Sequence, residues 1–425
     1  MSARQSTINT PIAQPEPGLT PETVIARAAT MRAQLRAEQD ESDWRGHYSE
    51  SIHKQLLEGG FYRLLTPKMF GGYEFSPKTF IRAIIEIARG HPAAGWCFAL
   101  GASHAYLLAS HWPEEVQREL FGADGEFRSP AVGVPGGKFT PAQGGFRVTG
   151  TWPFASGIPY ATHFMGASVM EGSSGPGRRI MFVTPRETVE VLGDWGKDQY
   201  WGMQASGSFA VKLDDVFVPN RYIIDSNFDS TTDTMPNGTP GTRLHKNPMY
   251  LCIPTGWFNT EFAAILVGTA WAALDEFKEL AKTKTQLLNP HAKIADDPFV
   301  QQAYGRALAL TQSAEALTLH CADVYLEQLA GFIEEKKLVM ATDSFMIWGK
   351  ASEAARMACD AVEMLFHHSG GSSGRRGRKM QRYFRDIETY RLHPQAQPFI
   401  HSMRAQIEFG TRASIFSESD IRSQT

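Results

Sequence analysis

Hydrophobic positions keep a helical beat through the first third of the chain. Val24, Ile25, Ala28, Met31 and Leu35 recur at three- and four-residue steps, which predicts an amphipathic helix. Thr20-Pro21-Glu22 supplies the hydroxyl cap and the first-turn proline that start one. SPKTFIRAIIEIARG repeats the arrangement, with Ser76 as cap, Pro77 in the first turn and Gly90 as the stop, and PKMFGGYEF between the two reads as a glycine-broken turn. From residue 129 the beat changes to alternation. In GGFRVTGTW, Phe146 and Val148 share one face while Arg147 and Thr149 share the other. In FAVKLDDVFVP, the alternation of Phe209, Val211 and Leu213 slips by one residue at Asp214-Asp215 before Val216 and Val218, which predicts a β-bulge. From residue 250 the helical beat returns in three long runs, and with the segment after Met380 these predict a four-helix bundle.

The expected architecture is α+β and multidomain: a mobile polar arm over 1–20, a helical domain over 21–128, a small β-barrel or sandwich over 129–242 and a helical bundle over 243–425. Residues 91–113 carry no Asp, Glu, Lys or Arg and are long enough to span a bilayer, but three histidines, two serines and two glycines dilute them. A buried helix is the better expectation. The first twenty residues lack the apolar core of a secretory leader.

Composition narrows the function classes. A chain of 425 residues that is 42% hydrophobic and 20% charged is an ordinary globular protein. Its net charge of -3 gives no global field for nucleic acid, so the basic stretch RRGRKMQRYFR reads as a solvated loop, a phosphate contact or a subunit interface. Cys97, Cys252, Cys321 and Cys359 lack the close spacing of a metal or redox motif, and read as small apolar residues in a reducing, cytoplasmic setting.

The segments PKMFGGYEF, TWPFASG, GMQASGSFAVKLDDVFVP, LFHHSGGSSG and QRYFRDIETYRLH, in that order, resemble the acyl-CoA dehydrogenase superfamily and imply its plan: helical domain, β domain, helical bundle. Many of its dehydrogenases place a catalytic glutamate eight residues after the aspartate of the Arg-Asp pair. Here that position is Pro394, which has no proton-accepting side chain, and its neighbour is His393. The spacing is similar to that of the flavin-dependent monooxygenases built on this fold, in which a histidine faces flavin and substrate.

That resemblance implies the oxygenase half of a two-component system. A separate reductase supplies reduced FMN, with FAD as the alternative; dioxygen is co-substrate; a C4a-hydroperoxide hydroxylates a small aromatic, first a phenol; and the assembly is a homotetramer. His393 is expected to act as a base poised near neutrality, or as a hydrogen-bond partner of the peroxide. Ser156 is expected near flavin N5, with Trp152, Phe154 and Ala155 beside it. Trp96, His104 and Ser129 are expected against the substrate, and Gly370, Gly371 and Ser372 against the flavin.

Plainer readings stand beside these: Ser156 as a turn serine, His104 as a hydrogen-bonded core histidine, and the glycine run as a flexible loop. A dehydrogenase with a relocated base, oxygenation at nitrogen or sulfur, and a non-catalytic flavin-binding protein remain the alternatives. His163 stands where relatives often carry an aromatic residue, so it and the basic GSSGRRGRK segment are candidates for shaping the pocket.

Overall fold

Capping and apolar spacing place the N-terminal helices where the sequence predicts them. In this computed structural model, which describes residues 12–170, 178–228, 231–287 and 289–411, Thr20 Oγ1 accepts from the Thr23 N–H and Pro21 opens α1 (Pro21–Ala37). α2 (Gln39–Arg45) and α3 (Glu50–Glu58) follow. Ser76 caps α4 (Pro77–Gly90), whose Ile81, Ile84, Ile85 and Ala88 are buried. The uncharged segment forms two buried helices, α5 (Pro92–Ala102) and α6 (His104–His111), broken at Ser103; α7 (Glu114–Phe121) completes the domain. Among the described residues no helix is long and apolar enough to cross a membrane. Of the expected N-terminal arm, residues 1–11 lie outside the described residues. Residues 12–16 run along the helical domain, with Gln14 Nε2 donating to Gly72 O at 2.8 Å.

The strands are β1 (Ala131–Val132), β2 (Lys138–Ala142), β3 (Gly145–Trp152), β4 (His163–Met170), β5 (Arg178–Pro185), β6 (Glu190–Val191), β7 (Val211–Pro219) and β8 (Ile223–Asp225). They make two open four-stranded sheets, β1-β4-β5-β8 and β2-β3-β7-β6. The domain is therefore a sandwich and not a closed barrel. Its core forms where Trp152 of β3 meets Phe164 of β4 and Phe182 of β5, at ring distances of 5.8 and 5.4 Å. The predicted bulge is present. Val148 pairs with Val216 and Gly150 with Leu213, so Asp214 and Asp215 together oppose Thr149, and Asp215 takes a φ of 52°. The Asp215 N–H, freed from the ladder, donates to Thr149 Oγ1 at 3.0 Å.

After α8 (Thr231–Thr234) and α9 (Pro240–His245) the chain enters α10 (Pro254–Thr283), α11 (Pro298–Glu335), α12 (Ala341–His368), α13 (Lys379–Arg391) and α14 (Phe399–Glu408). α10 also packs on α4 of the first domain, a crossing close enough that a Cβ on Gly268 would lie 2.5 Å from Ala88 Cβ and 2.6 Å from Ile85 O. Arg89 of α4 pairs with Asp275 of α10 at 2.7 Å. All four cysteines are buried and unbridged.

Candidate active site

α13 is fastened to the β domain by its Arg-Asp pair. Asp386 is buried and its Oδ1 accepts the Met203 N–H at 2.6 Å, while the Arg385 guanidinium donates to Trp201 O. A Cβ on Gly202 would lie 2.2 Å from Arg385 O, so only glycine lets the helix backbone approach this closely. On the other side, Arg382 donates to Asp43 at 2.7 Å and to Gln39 Oε1 at 3.1 Å. Burial, and secondly the Asp43 charge, push the Asp386 carboxyl up to about 7. The Arg-Asp pair is thus a staple that fixes where the end of α13, and hence His393, comes to rest.

His393 follows α13 and caps the short 3₁₀ turn Pro394–Ala396, its Nδ1 accepting the Gln395 N–H at 3.2 Å. Its ring lies 5.0 Å from Phe262 of α10 and edge-on to Trp96 of α5 at 5.5 Å. Burial lowers its pKa to about 4. Against this apolar wall the imidazolium loses hydration, so the ring is neutral at pH 7 and a weaker base than a free imidazole.

Trp96 connects His393 to Ser156. Its ring packs on Phe262 at 4.8 Å and its indole N–H donates to Ser156 Oγ at 3.1 Å. Ser156 Oγ is also 2.7 Å from Ser208 Oγ, which is 2.6 Å from Ser206 Oγ. These three serines form a buried hydroxyl relay. If Ser206 donates to Ser208 and Ser208 to Ser156, both lone pairs of Ser156 are filled and its hydrogen is free for an outside acceptor.

His104, at the start of α6, is buried, with its ring 4.9 Å from Phe258 of α10. Its Nδ1 lies 2.8 Å from Leu100 O and 2.7 Å from Ser129 O, and burial lowers its pKa to about 4. The Ser129 hydroxyl is fully buried and donates to Pro130 O at 2.8 Å. Its expected contact with substrate is corrected: this residue meets the site through its carbonyl, by holding His104.

The remaining candidates divide. Trp152 is core, fully buried with its N–H given to Ala167 O at 2.9 Å, and so is not placed to touch a cofactor. Ala155 is buried and its N–H is given to Phe209 O at 3.0 Å. Phe154, at a φ of 59°, keeps its side chain 57% exposed, edge-on to Trp195 and Tyr200. The Trp195 indole N–H beside it is buried without a protein acceptor. An exposed aromatic face, a buried hydroxyl and an orphaned N–H donor fit a flavin ring. Gly370, Gly371 and Ser372 are not brought here. They precede α13, at the opposite end of that helix from His393. Lys284 Nζ donates to Ser369 O at 2.7 Å beside that turn. His163 stacks on Phe127 at 4.7 Å, apart from the Trp96–His393 wall. A 390 Å³ cleft lined by Asp40, Asp43, Arg376, Arg382 and Arg385 lies at the staple, outside this wall.

Reading the sequence missed Phe258, Phe262, Ser206 and Ser208. The two aromatics stand four apart in TEFAAILVGTAWAAL and the segment just before it, a spacing indistinguishable from core. The serines lie in GMQASGSF, where the alternation S-x-S was the available signal.

Residues 260–398 match the acyl-CoA dehydrogenase, C-terminal domain family. The oxygenase subunit HsaA of a flavin-dependent monooxygenase from Rhodococcus jostii (strain RHA1) is 28% identical over 386 residues, which are 89% of this chain and 94% of that protein. The oxygenase component of p-hydroxyphenylacetate 3-hydroxylase from Acinetobacter baumannii is 24% identical over 370 residues, 87% of this chain and 82% of that protein. Among solved structures, 3-HSA hydroxylase from Rhodococcus sp. RHA1 superposes with a TM-score of 0.81 at 24% identity, covering 92% of this chain and 98% of that one. XiaF from Streptomyces sp., solved with FADH2 and glycerol, gives 0.81 at 20% identity over 93% and 97%. TdsC from Paenibacillus sp. A11-2, solved with FMN and indole, gives 0.74 at 21% identity over 92% and 98%. The acyl-CoA dehydrogenase fold expected from the motifs is the fold of these structures, and the relatives are flavin-dependent monooxygenases.

Proposed function

We infer that this chain, an oxidoreductase of the acyl-CoA dehydrogenase fold, is the oxygenase component of a two-component flavin-dependent monooxygenase that hydroxylates a small aromatic substrate. Reduced FMN, with reduced FAD as the alternative, comes from a separate reductase, and when bound it supplies the electrons that activate dioxygen. One observation carries the reading: Trp96 joins Ser156 and His393 by a hydrogen bond on one side and a ring contact on the other. A hydroxyl suited to a flavin nitrogen and an imidazole suited to an oxygen therefore share one aromatic wall.

The chain's own residues then divide the work. Trp96, Phe258 and Phe262 exclude water. Ser156 donates its free hydrogen, which hinders premature loss of hydrogen peroxide. His393 and His104, both neutral at pH 7, contribute hydrogen bonds. A homotetramer and a cytoplasmic location belong to the same reading, with light scattering and cell fractionation as their tests.

A dehydrogenase with a relocated base has one buried carboxyl beside the wall to draw on, Glu261 of α10. Burial raises it well above the usual carboxylate range, against weaker pulls from the Ser103 hydroxyl and the Trp257 indole N–H, so it holds its proton more tightly than a free carboxyl.

The test is stopped-flow mixing of anaerobic protein and reduced FMN with oxygenated buffer. A long-lived absorbance distinct from both reduced and oxidised flavin is expected. Immediate reoxidation with release of hydrogen peroxide, repeated with reduced FAD, overturns the reading, and bleaching of oxidised flavin by an acyl-CoA thioester would replace it with the dehydrogenase.

A further inference from the structure

Arg385 and Asp386 adjoin in sequence but do not pair with each other. Neighbours on a helix point about 100° apart, and the Arg385 guanidinium is spent on Trp201 O and on Gln381 Oε1, the latter at 2.8 Å. Arg382, one turn earlier, gives all three nitrogens to α2: Nε to Asp43 at 2.7 Å, Nη1 to Gln39 Oε1 at 3.1 Å and Nη2 to Asp40. Asp386 is left with one neutral partner, the Met203 N–H on Oδ1, and its Oδ2 is buried with no protein partner. The residue is 2% exposed. An ionised carboxylate without a cation is costly in such a place, and the group holds a proton instead. The surroundings agree. Asp43, bonded to Arg382 on the facing helix, adds a negative charge that resists a second one on Asp386, and outweighs the pull of Arg385 and Arg382. Beyond it, Asp40 bonds to Arg382 from the surface and His91, kept neutral by burial, stands 4.0 Å from Asp43. Lys379 bears on Arg382, and Asp198 pairs with Arg376 across the neighbouring cleft.

We propose that Asp386 is a positioning residue that works as a neutral acid: its proton sits on Oδ2, α13 docks on the β domain with that proton held, and release of the proton to solvent loosens the docking and with it the place of His393 against Trp96. The consequence for hydroxylation rests on the monooxygenase reading, whereas the docking does not. Burial pushes the docked carboxyl up to about 7, against an ordinary value of 3.8 for the same carboxyl set free. Below the lower value both states hold the proton and docking has its full strength. Between the two values the released helix sheds a proton that the docked helix keeps, so docking weakens as pH rises, and above the higher value it weakens no further.

The test is hydrogen exchange at the Met203 amide in the full-length protein without flavin. Gly202-Met203 is the single Gly-Met step in the sequence, so carbon-13 glycine combined with nitrogen-15 methionine isolates that amide. Asp386→Asn keeps an acceptor for it and cannot ionise, so the variant carries the pH response of everything else. Between about pH 5.5 and about pH 8, protection in wild type should fall relative to Asp386→Asn by on the order of tenfold. Carbon-13 spectra of aspartate-labelled wild type add a readout for which no variant has to fold: a carboxyl should titrate near neutrality, where ordinary aspartates are fully ionised. Where the variant folds, that resonance is the one it removes. Parallel protection profiles in the two proteins overturn the proposal, since a carboxyl that only packs gives no difference between them. An aspartate spectrum with no carboxyl titrating above about pH 6 overturns it as well. Either result can occur with the long-lived flavin absorbance present, so the proposal can fail while the monooxygenase reading stands, and loss of that absorbance leaves the docking result untouched.

Discussion

Ser156 accepts from Trp96 at 3.1 Å and lies 2.7 Å from Ser208, and where Ser208 is the donor of that pair the remaining capacity of Ser156 is to donate. Ser208 is what keeps that hydrogen pointed outward. Ser156→Ala should speed hydrogen peroxide release without substrate, by about tenfold for the loss of one hydrogen bond near 1.4 kcal/mol. Ser208→Ala should give a smaller increase, because the freed Ser156 hydroxyl can turn inward, and Ser208→Thr should restore the wild-type rate. Decay rates of the transient flavin absorbance read all three. An unchanged rate in Ser156→Ala removes that hydroxyl from the flavin, whereas a change there with none in Ser208→Ala would show the relay to be packing. At this scale the sequence was half legible. TWPFASG marked Ser156, but nothing in it distinguishes Trp152, a core residue between two sheets, from Phe154, whose positive φ turns its ring outward. Partners such as Ser208, 52 residues away, are fixed only when the sheets close.

The site depends on one element being docked to within an atom's width. α13 reaches the β domain only because residue 202 has no side chain: a Cβ there would lie 2.2 Å from Arg385 O and 2.5 Å from Thr389 Oγ1. Gly202→Ala must push the helix back, loosening the Asp386–Met203 bond, at the about 1–3 kcal/mol typical of overpacking. The expected outcome is a lower urea midpoint together with weakened His393-dependent hydroxylation. Full stability with wild-type hydroxylation would show that the staple does not position the site. Asp386→Asn, which keeps an acceptor for the Met203 N–H, should be far milder. The sequence showed the helix and its Arg-Asp pair but not what the pair fastens, because the receiving loop lies some 180 residues upstream. The break at Ser103 was hidden for a similar reason. Trp96, Leu100, Leu107 and His111 keep helical spacing across it, yet Gly101 O is taken by the Ser129 N–H at 2.9 Å, a claim that comes from tertiary structure, and Leu100 O is approached by the His104 ring four residues on.

For the whole molecule the patterns were most legible: the three textures of apolar spacing, the caps at Thr20 and Ser76 and the slip at Asp214-Asp215 all reappear in the fold, because each is decided within a few residues. What spacing could not reveal is how many histidines the fold buries, and that sets its response to acid. Burial is the largest cause lowering His53, His104, His111, His163, His245 and His393 to about 4, and it lowers His47 and His91 as well. In the unfolded chain each titrates near its ordinary 6.5. Above that pH both states are neutral and the stability is fully present. Between 6.5 and about 4 the unfolded chain takes up protons that the folded protein refuses, so each of the six histidines lowered to about 4 removes at most about 1.4 kcal/mol per pH unit as the pH falls, and His53, the least deeply set of them, less. Asp43, Glu261 and Asp386 act in the opposite sense, since burial raises their carboxyls and the stability they contribute is lost as pH rises. Eight groups outweigh three, so the net slope is destabilising on the acid side. The urea midpoint should fall steadily as the pH drops from 6.5 toward 4, with His104→Phe, where it folds, flattening part of that slope. A midpoint that holds or rises over that interval would mean that water reaches these rings, and with it the dry wall on which the hydroxylation chemistry depends would be lost.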